Sequence, residues 1–286
     1  MPDRVLVTLD HEVLDADAPF LHADDLAVVR GDGVFETLLV RDGRARVVEG
    51  HLSRLVLSAR ALGLPAPVLD DWRLAIEMAA EEWGTEKEGA LRLVLTRGRE
   101  SGDKPTAFVM VGPVADRVRQ VRESGLSVMT LERGFSVDLS AGTLAATGRE
   151  DVVVRNNMAA LRYAANLGAD DVIFVSSEGN VLEGPRSTVV IVRDRTLITP
   201  PPAQGILMGT TQRALFDVAG SARFDCRYET LRPADLIAAD GVWMVSSVTL
   251  AARVHTLDGL TLPEPKVSGE FAELVERAID SDSAGR

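Results

Sequence analysis

The sequence is poor in the residues that most often announce a chemistry. It has one cysteine, Cys226, and only three lysines, Lys87, Lys104 and Lys266, against 28 arginines. A lone thiol cannot close an internal disulfide and makes a poor metal ligand set, so Cys226 reads as a small buried hydrophobe. The four histidines, His11, His22, His51 and His255, share no metal-ligand spacing, and no metal is expected. No apolar run approaches the ~18 residues of a membrane-spanning helix. The N-terminal MPDRVLVTLDHEV lacks the basic-then-apolar pattern of a signal peptide, which leads us to expect a cytoplasmic protein. G-x-G-x-x-G after a strand, the P-loop, G-x-S-x-G and H-E-x-x-H are all missing. Basic surface is missing too. A net charge of −12 excludes a nucleic-acid binder and would be repelled by anionic membranes, which leaves a small molecule as the expected partner. Any reaction that needs an amine nucleophile has three candidates.

What is present is ordinary for a globular enzyme: 286 residues, 46% hydrophobic and 26% charged, enough for a sizeable core in one large or two modest domains. Short strands are expected at Val5 to Leu9 and Phe35 to Val40, with Asp42-Gly43 turning into a strand at Ala45 to Val48. Leu52, Leu55, Val56, Ala59 and Leu62 fall on one helical face, which Gly63 and Pro65 terminate. A second helix covers Asp70 to Glu82, and strands follow at Leu91 to Leu95 and Ala107 to Val111. Residues 113–124 read as a connector. Beyond it come a strand from Leu126 to Leu131, a helix from Asn157 to Leu167, and strands at Val172 to Val175, Thr188 to Val192 and Val242 to Ser246. Helices from Thr210 to Val218 and from Glu270 to Ile279 complete the pattern. The fold class is α/β (α+β), divided into a small α+β domain, 1–118, and a large α/β domain, 119–286.

Taken singly, the candidate site residues each carry a plain alternative. Gly209-Thr210-Thr211 at a helix start is either an ordinary N-cap or an anion site, since amides, hydroxyls and the helix dipole meet there. Ser246-Ser247 ends an apolar strand, where hydroxyls cap a loop or hold a phosphate. Arg54 beside an apolar helix face is either a snorkelling side chain or a ligand grip. Glu183, ahead of Gly184-Pro185, is a solvated turn residue or a carboxylate aimed into a pocket.

Read together, Arg30-Gly31-Asp32-Gly33-Val34-Phe35-Glu36-Thr37, His51-Leu52-Ser53-Arg54-Leu55, Leu182-Glu183-Gly184-Pro185-Arg186-Ser187-Thr188, Gly209-Thr210-Thr211 and Ser246-Ser247-Val248-Thr249 resemble, in order and spacing, the fold-type IV pyridoxal-phosphate enzymes. That family includes branched-chain and D-amino acid aminotransferases and 4-amino-4-deoxychorismate lyases, and the likeness is greatest to the lyase-like members. The resemblance runs from about Leu6 to Ala278 and implies a two-domain, class IV aminotransferase architecture. It implies a homodimer with the active site between the small and large domains. By the same resemblance Arg54 grips the cofactor phosphate, as a guanidinium fork suits a dianion. Glu183 pairs with the pyridine nitrogen, and Thr210, Thr211, Ser247 and Thr249 form the phosphate cup.

One stretch departs from the pattern. In the family, K-[TS]-x-x-Y leads into the Asn-containing helix. Alignment on Asn157-Met158 puts Glu150 at the lysine and Val154 at the tyrosine, and residues 147–156 contain no lysine. An amine both attaches the cofactor and moves the substrate's α-proton. No covalently bound cofactor is therefore expected, and Glu150 becomes the candidate catalytic residue, a general base if a dry site raises its pKa. A solvated loop is its plain alternative. Three functions stay open: a repurposed, pyridoxal-phosphate-independent enzyme acting on a small specialised metabolite, a lyase or aminotransferase holding pyridoxal or pyridoxamine phosphate without a covalent bond, and a non-catalytic binding protein.

Overall fold

The structure is a computed structural model. It describes residues 3–134 and 149–281, the side chains of 149–155 excepted. The chain divides into two compact units, with a boundary between Ala115 and Asp116 and residues 149–152 grouped with the first.

The first unit contains β1 (Val5–Thr8), β2 (Val13–Leu14), α1 (Leu26–Arg30), β3 (Gly33–Arg41), β4 (Arg44–Ala45), α2 (Val48–Ala61), α3 (Leu69–Trp83), β5 (Gly89–Thr96) and β6 (Thr106–Pro113). Its sheet has six strands in the order β2-β1-β6-β5-β3-β4, every pair antiparallel. Leu38 and Val40 of β3, Leu91 and Leu93 of β5, and Val109 and Val111 of β6 form one side of the core. Leu52, Leu55 and Ala59 of α2 and Trp72, Ile76, Ala79 and Trp83 of α3 form the other. The spacing of the α2 residues is the apolar stripe visible in the sequence. The Asp42-Gly43 turn also forms, with φ of 54° and 69°, the geometry of a tight two-residue hairpin. The strand expected after it stops at Ala45, because Val47 takes a left-handed φ of 55° and Val48 already opens α2.

From Asp116 onward come α4 (Asp116–Ser124), β7 (Leu126–Glu132), α5 (Arg149–Asn166), β8 (Asp171–Val175), β9 (Thr188–Arg193) and β10 (Thr196–Thr199). They are followed by α6 (Thr210–Ala219), β11 (Asp225–Tyr228), α7 (Pro233–Ala238), β12 (Gly241–Ser246), β13 (Leu250–Leu257), β14 (Leu260–Thr261) and α8 (Ser268–Ser281). The strands form one sheet in the order β11-β10-β9-β12-β13-β7-β8, with β14 against β13. The pairs β10/β11, β13/β7 and β7/β8 are parallel. The apolar centre brings Ile191 of β9, Val242 and Met244 of β12, and Ala252 and Val254 of β13 together with Ile173 and Ile198. The supposed connector is largely α4, with Val121 buried. The helix expected from Asn157 begins earlier, at Arg149, and takes in Val152 to Val154. Cys226 is half-buried in β11, where burial and the nearby Asp225 and Asp217 push its thiol up to about 11. It is a neutral thiol at physiological pH. No helix among the described residues is long and apolar enough to cross a membrane.

Candidate active site

In the first unit the alternation of β3 decides the chemistry. Val34 and Leu38 point inward, and Glu36 lies in the same phase between them, while Phe35 is half exposed. A carboxylate on the core side of a strand has to be paired. Glu36 is 3% exposed and receives three bonds from α2. His51 Nδ1 lies 2.7 Å from its Oε2, Arg54 Nε donates to Oε1 at 2.7 Å, and a terminal Arg54 nitrogen donates to Oε2 at 2.6 Å. His51 and Arg54 are three residues apart, so one helix face presents both. Burial by itself would raise the Glu36 carboxyl. The bonds from His51 and Arg54, with their charge, outweigh it and hold the group below the usual carboxylate range. Arg54 is thus gripped by a partner that the sequence motif contained without displaying its role.

In the second unit, three hydroxyls gather at the start of α6. Thr210 Oγ1 is 3.2 Å from Ser247 Oγ, and Thr211 Oγ1 donates to the same oxygen at 3.5 Å. Thr210 and Thr211 are buried. Gly209, the N-cap, carries no side chain that could occupy this position. A Cβ there would lie 2.2 Å from Thr188 Oγ1, so only glycine lets the α6 start pack this closely on β9. Hydroxyls and backbone amides converging at a positive helix end fit a phosphate. Thr249 joins through its backbone, its N–H donating to Ser246 Oγ at 3.3 Å. We expect Gly209→Ala to cost about 1–3 kcal/mol through overpacking. A thermal melt checks this, and the variant should also bind phosphate esters more weakly.

Glu183 follows β8 in the fold and is 13% exposed. Arg133, 8% exposed, sits at the end of β7, and its guanidinium donates to Glu183 Oε1 at 2.7 Å. The backbone N–H of Leu207 donates to Oε2 at 3.0 Å. Arg133 also lies 5.2 Å from the centre of the Phe174 ring. No motif in the sequence singles out Arg133. Beside this loop, Asn157 Nδ2 donates to the Pro185 carbonyl at 2.8 Å, which fixes α5 against the segment after Glu183. Glu150 falls in the first turn of α5, and its side chain lies outside the described residues.

A glycine-capped helix start with three converging hydroxyls, in a chain with these two sheets, is the arrangement of an aminotransferase-type scaffold. The family model for amino-transferase class IV matches residues 33–257, and the chain belongs to that family. A bifunctional aminodeoxychorismate lyase / D-amino acid transaminase of Mycobacterium tuberculosis is 56% identical over 97% of this chain and all of its own. A hypothetical aminotransferase from the same organism, solved in a PLP-bound form, superposes with a TM-score of 0.94 at 56% identity over 98% of this chain and 99% of that one. It has also been solved with α-ketoglutarate and PMP bound. A fold IV transaminase from Curtobacterium pusillum matches at 35% identity and a TM-score of 0.91 over the full length of both chains.

These relatives correct one expectation. The lack of lysine in 147–156 led us to expect no covalently held cofactor, and structures 56% identical to this chain hold pyridoxal and pyridoxamine phosphates. The hydroxyls of Thr210, Thr211 and Ser247 converge at the start of α6, a donor set whose chemistry fits a phosphate group.

Proposed function

We propose that this chain is a pyridoxal-phosphate-dependent enzyme that transaminates D-amino acids and cleaves aminodeoxychorismate, as the name of its M. tuberculosis relative describes for that protein. The observation that carries the reading is the meeting of Thr210, Thr211 and Ser247 at the start of α6. Thr210, Thr211 and Ser247 would hold the phosphate. Glu183, paired with Arg133, would face the pyridine nitrogen. When bound, the cofactor supplies an electron sink for negative charge at the substrate's α-carbon. The chain's own residues orient the ring and exclude water. The test is incubation with pyridoxal phosphate, a D-amino acid and 2-oxoglutarate. Formation of glutamate supports the reading, and its absence together with no consumption of aminodeoxychorismate sinks it.

We infer a shift of reading frame as the origin of Glu150. Glu-Asp followed by valine is written GAR-GAY-GTN. Read one nucleotide later, the same bases give ARG-AYG, which includes Lys-Thr. Continued through Val153, Val154 and Arg155, the shifted frame places TNC at position 154, and TAC is tyrosine. K-T-x-x-Y is thus one of the readings that the neighbouring frame allows at the family's spacing. An excess of 28 arginines over three lysines points to GC-rich coding. Every residue from Gly148 to Arg155 has codons that begin with G or C (arginine in its CGN set), as the third bases of a GC-rich gene would. Resequencing the locus decides the matter, since an intact GAR-GAY reading in the gene's own frame would remove this account.

The active form we propose is a homodimer. Val28, Val29, Phe35, Leu57 and Leu74 remain exposed on the first unit and support it. Light scattering at micromolar concentration should give twice the mass of the 30.7 kDa chain.

A further inference from the structure

We propose that the groove at the C-terminal end of α2 is a binding site for a small carboxylate with an apolar body, held there by the charge of Arg60. The site lies wholly within the first unit and is independent of the cofactor chemistry proposed above.

The groove encloses about 340 Å³ and is lined by Val56, Arg60, Gly63, Leu64, Ala66 and Pro67. Its shape follows from how α2 ends. Gly63 takes a left-handed φ of 61°. Its N–H donates to the Arg60 carbonyl at 3.1 Å, and the Leu64 N–H reaches back to the Ala59 carbonyl at 2.9 Å. The chain thus folds back over the last turn of the helix, and Pro65 and Pro67 stiffen the return. Leu64 enters the core. The wall at Gly63 stays bare, since a Cβ there would meet nothing beyond its chain neighbours within 4 Å. A groove built this way exists before a ligand arrives, so binding needs little ordering.

Charge selects the occupant. Arg60 is the one charged side chain of the lining and lies in the last turn of α2. Its guanidinium makes no hydrogen bond or ion pair among the described residues. Bare carbonyls at a helix C-terminus would repel an anion. Here Arg97 covers two of them, donating to the Gly63 oxygen at 3.2 Å and to the Leu62 oxygen at 2.8 Å. A carboxylate can therefore approach Arg60, whereas an ammonium group would be repelled by it and would find no acidic side chain in the lining. The other side chains of the lining are aliphatic and suit an apolar body. The volume is at the lower end of the roughly 300–1,000 Å³ of ligand pockets, which admits one ring or branched chain.

The probe is benzoate, titrated into the full-length protein while the methyl groups of Val56 and Leu64 are followed by NMR. Benzoate is expected to shift both with a Kd of about 1 mM, the order for so few atoms, and its ring protons should show intermolecular NOEs to them. Benzamide has the same shape without the charge and should bind about threefold to fivefold more weakly, the range of a solvent-exposed ion pair. Acetate lacks the ring and should move neither methyl group. Arg60→Gln should bring benzoate down to the level of benzamide and leave benzamide unchanged. Ala66→Trp, at an exposed position, should fill the groove and abolish the shifts without lowering the Tm. If the tryptophan variant folds poorly, Arg60→Gln decides alone. Benzoate contacts elsewhere on the protein but not at Val56 and Leu64 overturn the inference. So does equal binding of benzoate and benzamide, or an Arg60→Gln protein that still prefers benzoate.

Discussion

Restoring the shifted reading, as Glu150→Lys with Asp151→Thr and Val154→Tyr, is expected to raise D-amino acid transamination by at least about a hundredfold over the chain as written. A positioned general acid–base group contributes roughly 10²–10⁴ to a rate, and an attached amine also holds the cofactor in place between turnovers. Each substitution has a separate job in this expectation. The lysine supplies the amine, so Glu150→Lys alone should increase retention of pyridoxal phosphate through gel filtration more than it increases the rate. The tyrosine and threonine, by analogy with the motif, orient the ring and the amine. The phosphate cup needs no change, because Thr210, Thr211 and Ser247 already meet at the start of α6. Borohydride reduction followed by peptide mass spectrometry should place the pyridoxyl group of the restored protein on the peptide spanning position 150. A restored protein no faster than the starting chain, with the adduct on Lys87, Lys104 or Lys266 instead, would show that the alignment on Asn157-Met158 is wrong.

The sequence displayed the parts of the fold that have a clean period. The α2 stripe of Leu52, Leu55 and Ala59, the Asp42-Gly43 hairpin and the Gly209-Thr210 helix start all stand out in it and form. Elements without such a period were not legible. β11, Asp-Cys-Arg-Tyr, is a largely exposed edge strand with little apolar character. α7 spans only six residues. In β13 the inward positions include the small Ala252, and Arg253 and His255 interrupt the apolar signal. Secondary structure also overrode local preference in α5, where three consecutive valines lie in a helix. At the site, Thr210, Thr211 and Ser247 could be named in advance because a shared ligand chemistry groups them. Glu36 could have been found from its phase alone, a charge at an inward position of an alternating strand. Arg133 could not. It precedes no motif, and only the folding of β7 beside β8 brings it to Glu183.

The Glu36 cluster should also govern how the first unit responds to acid. Glu36→Gln removes a buried carboxylate that accepts three bonds and leaves His51 and Arg54 poorly paired. The expected loss is about 2–3 kcal/mol at neutral pH. The dependence on pH follows from the direction of the carboxyl's shift. Its value is lowered in the folded state. The stability it contributes is therefore complete above the ordinary carboxylate range and is lost as pH falls through the folded value. Denaturant melts of the two proteins should differ by the full amount at pH 7 and converge as pH drops below about 4. A gap that stays constant to acid pH would mean that Glu36 acts by shape alone. A second variant separates charge from packing. Glu36→Leu with His51→Leu and Arg54→Met replaces every member by an apolar side chain, and buried ionic groups exchanged together in this way are often neutral for stability. This triple variant should melt close to the starting protein while Glu36→Gln does not. If the triple variant is as unstable as the single one, the charges of the cluster are themselves needed to join β3 to α2.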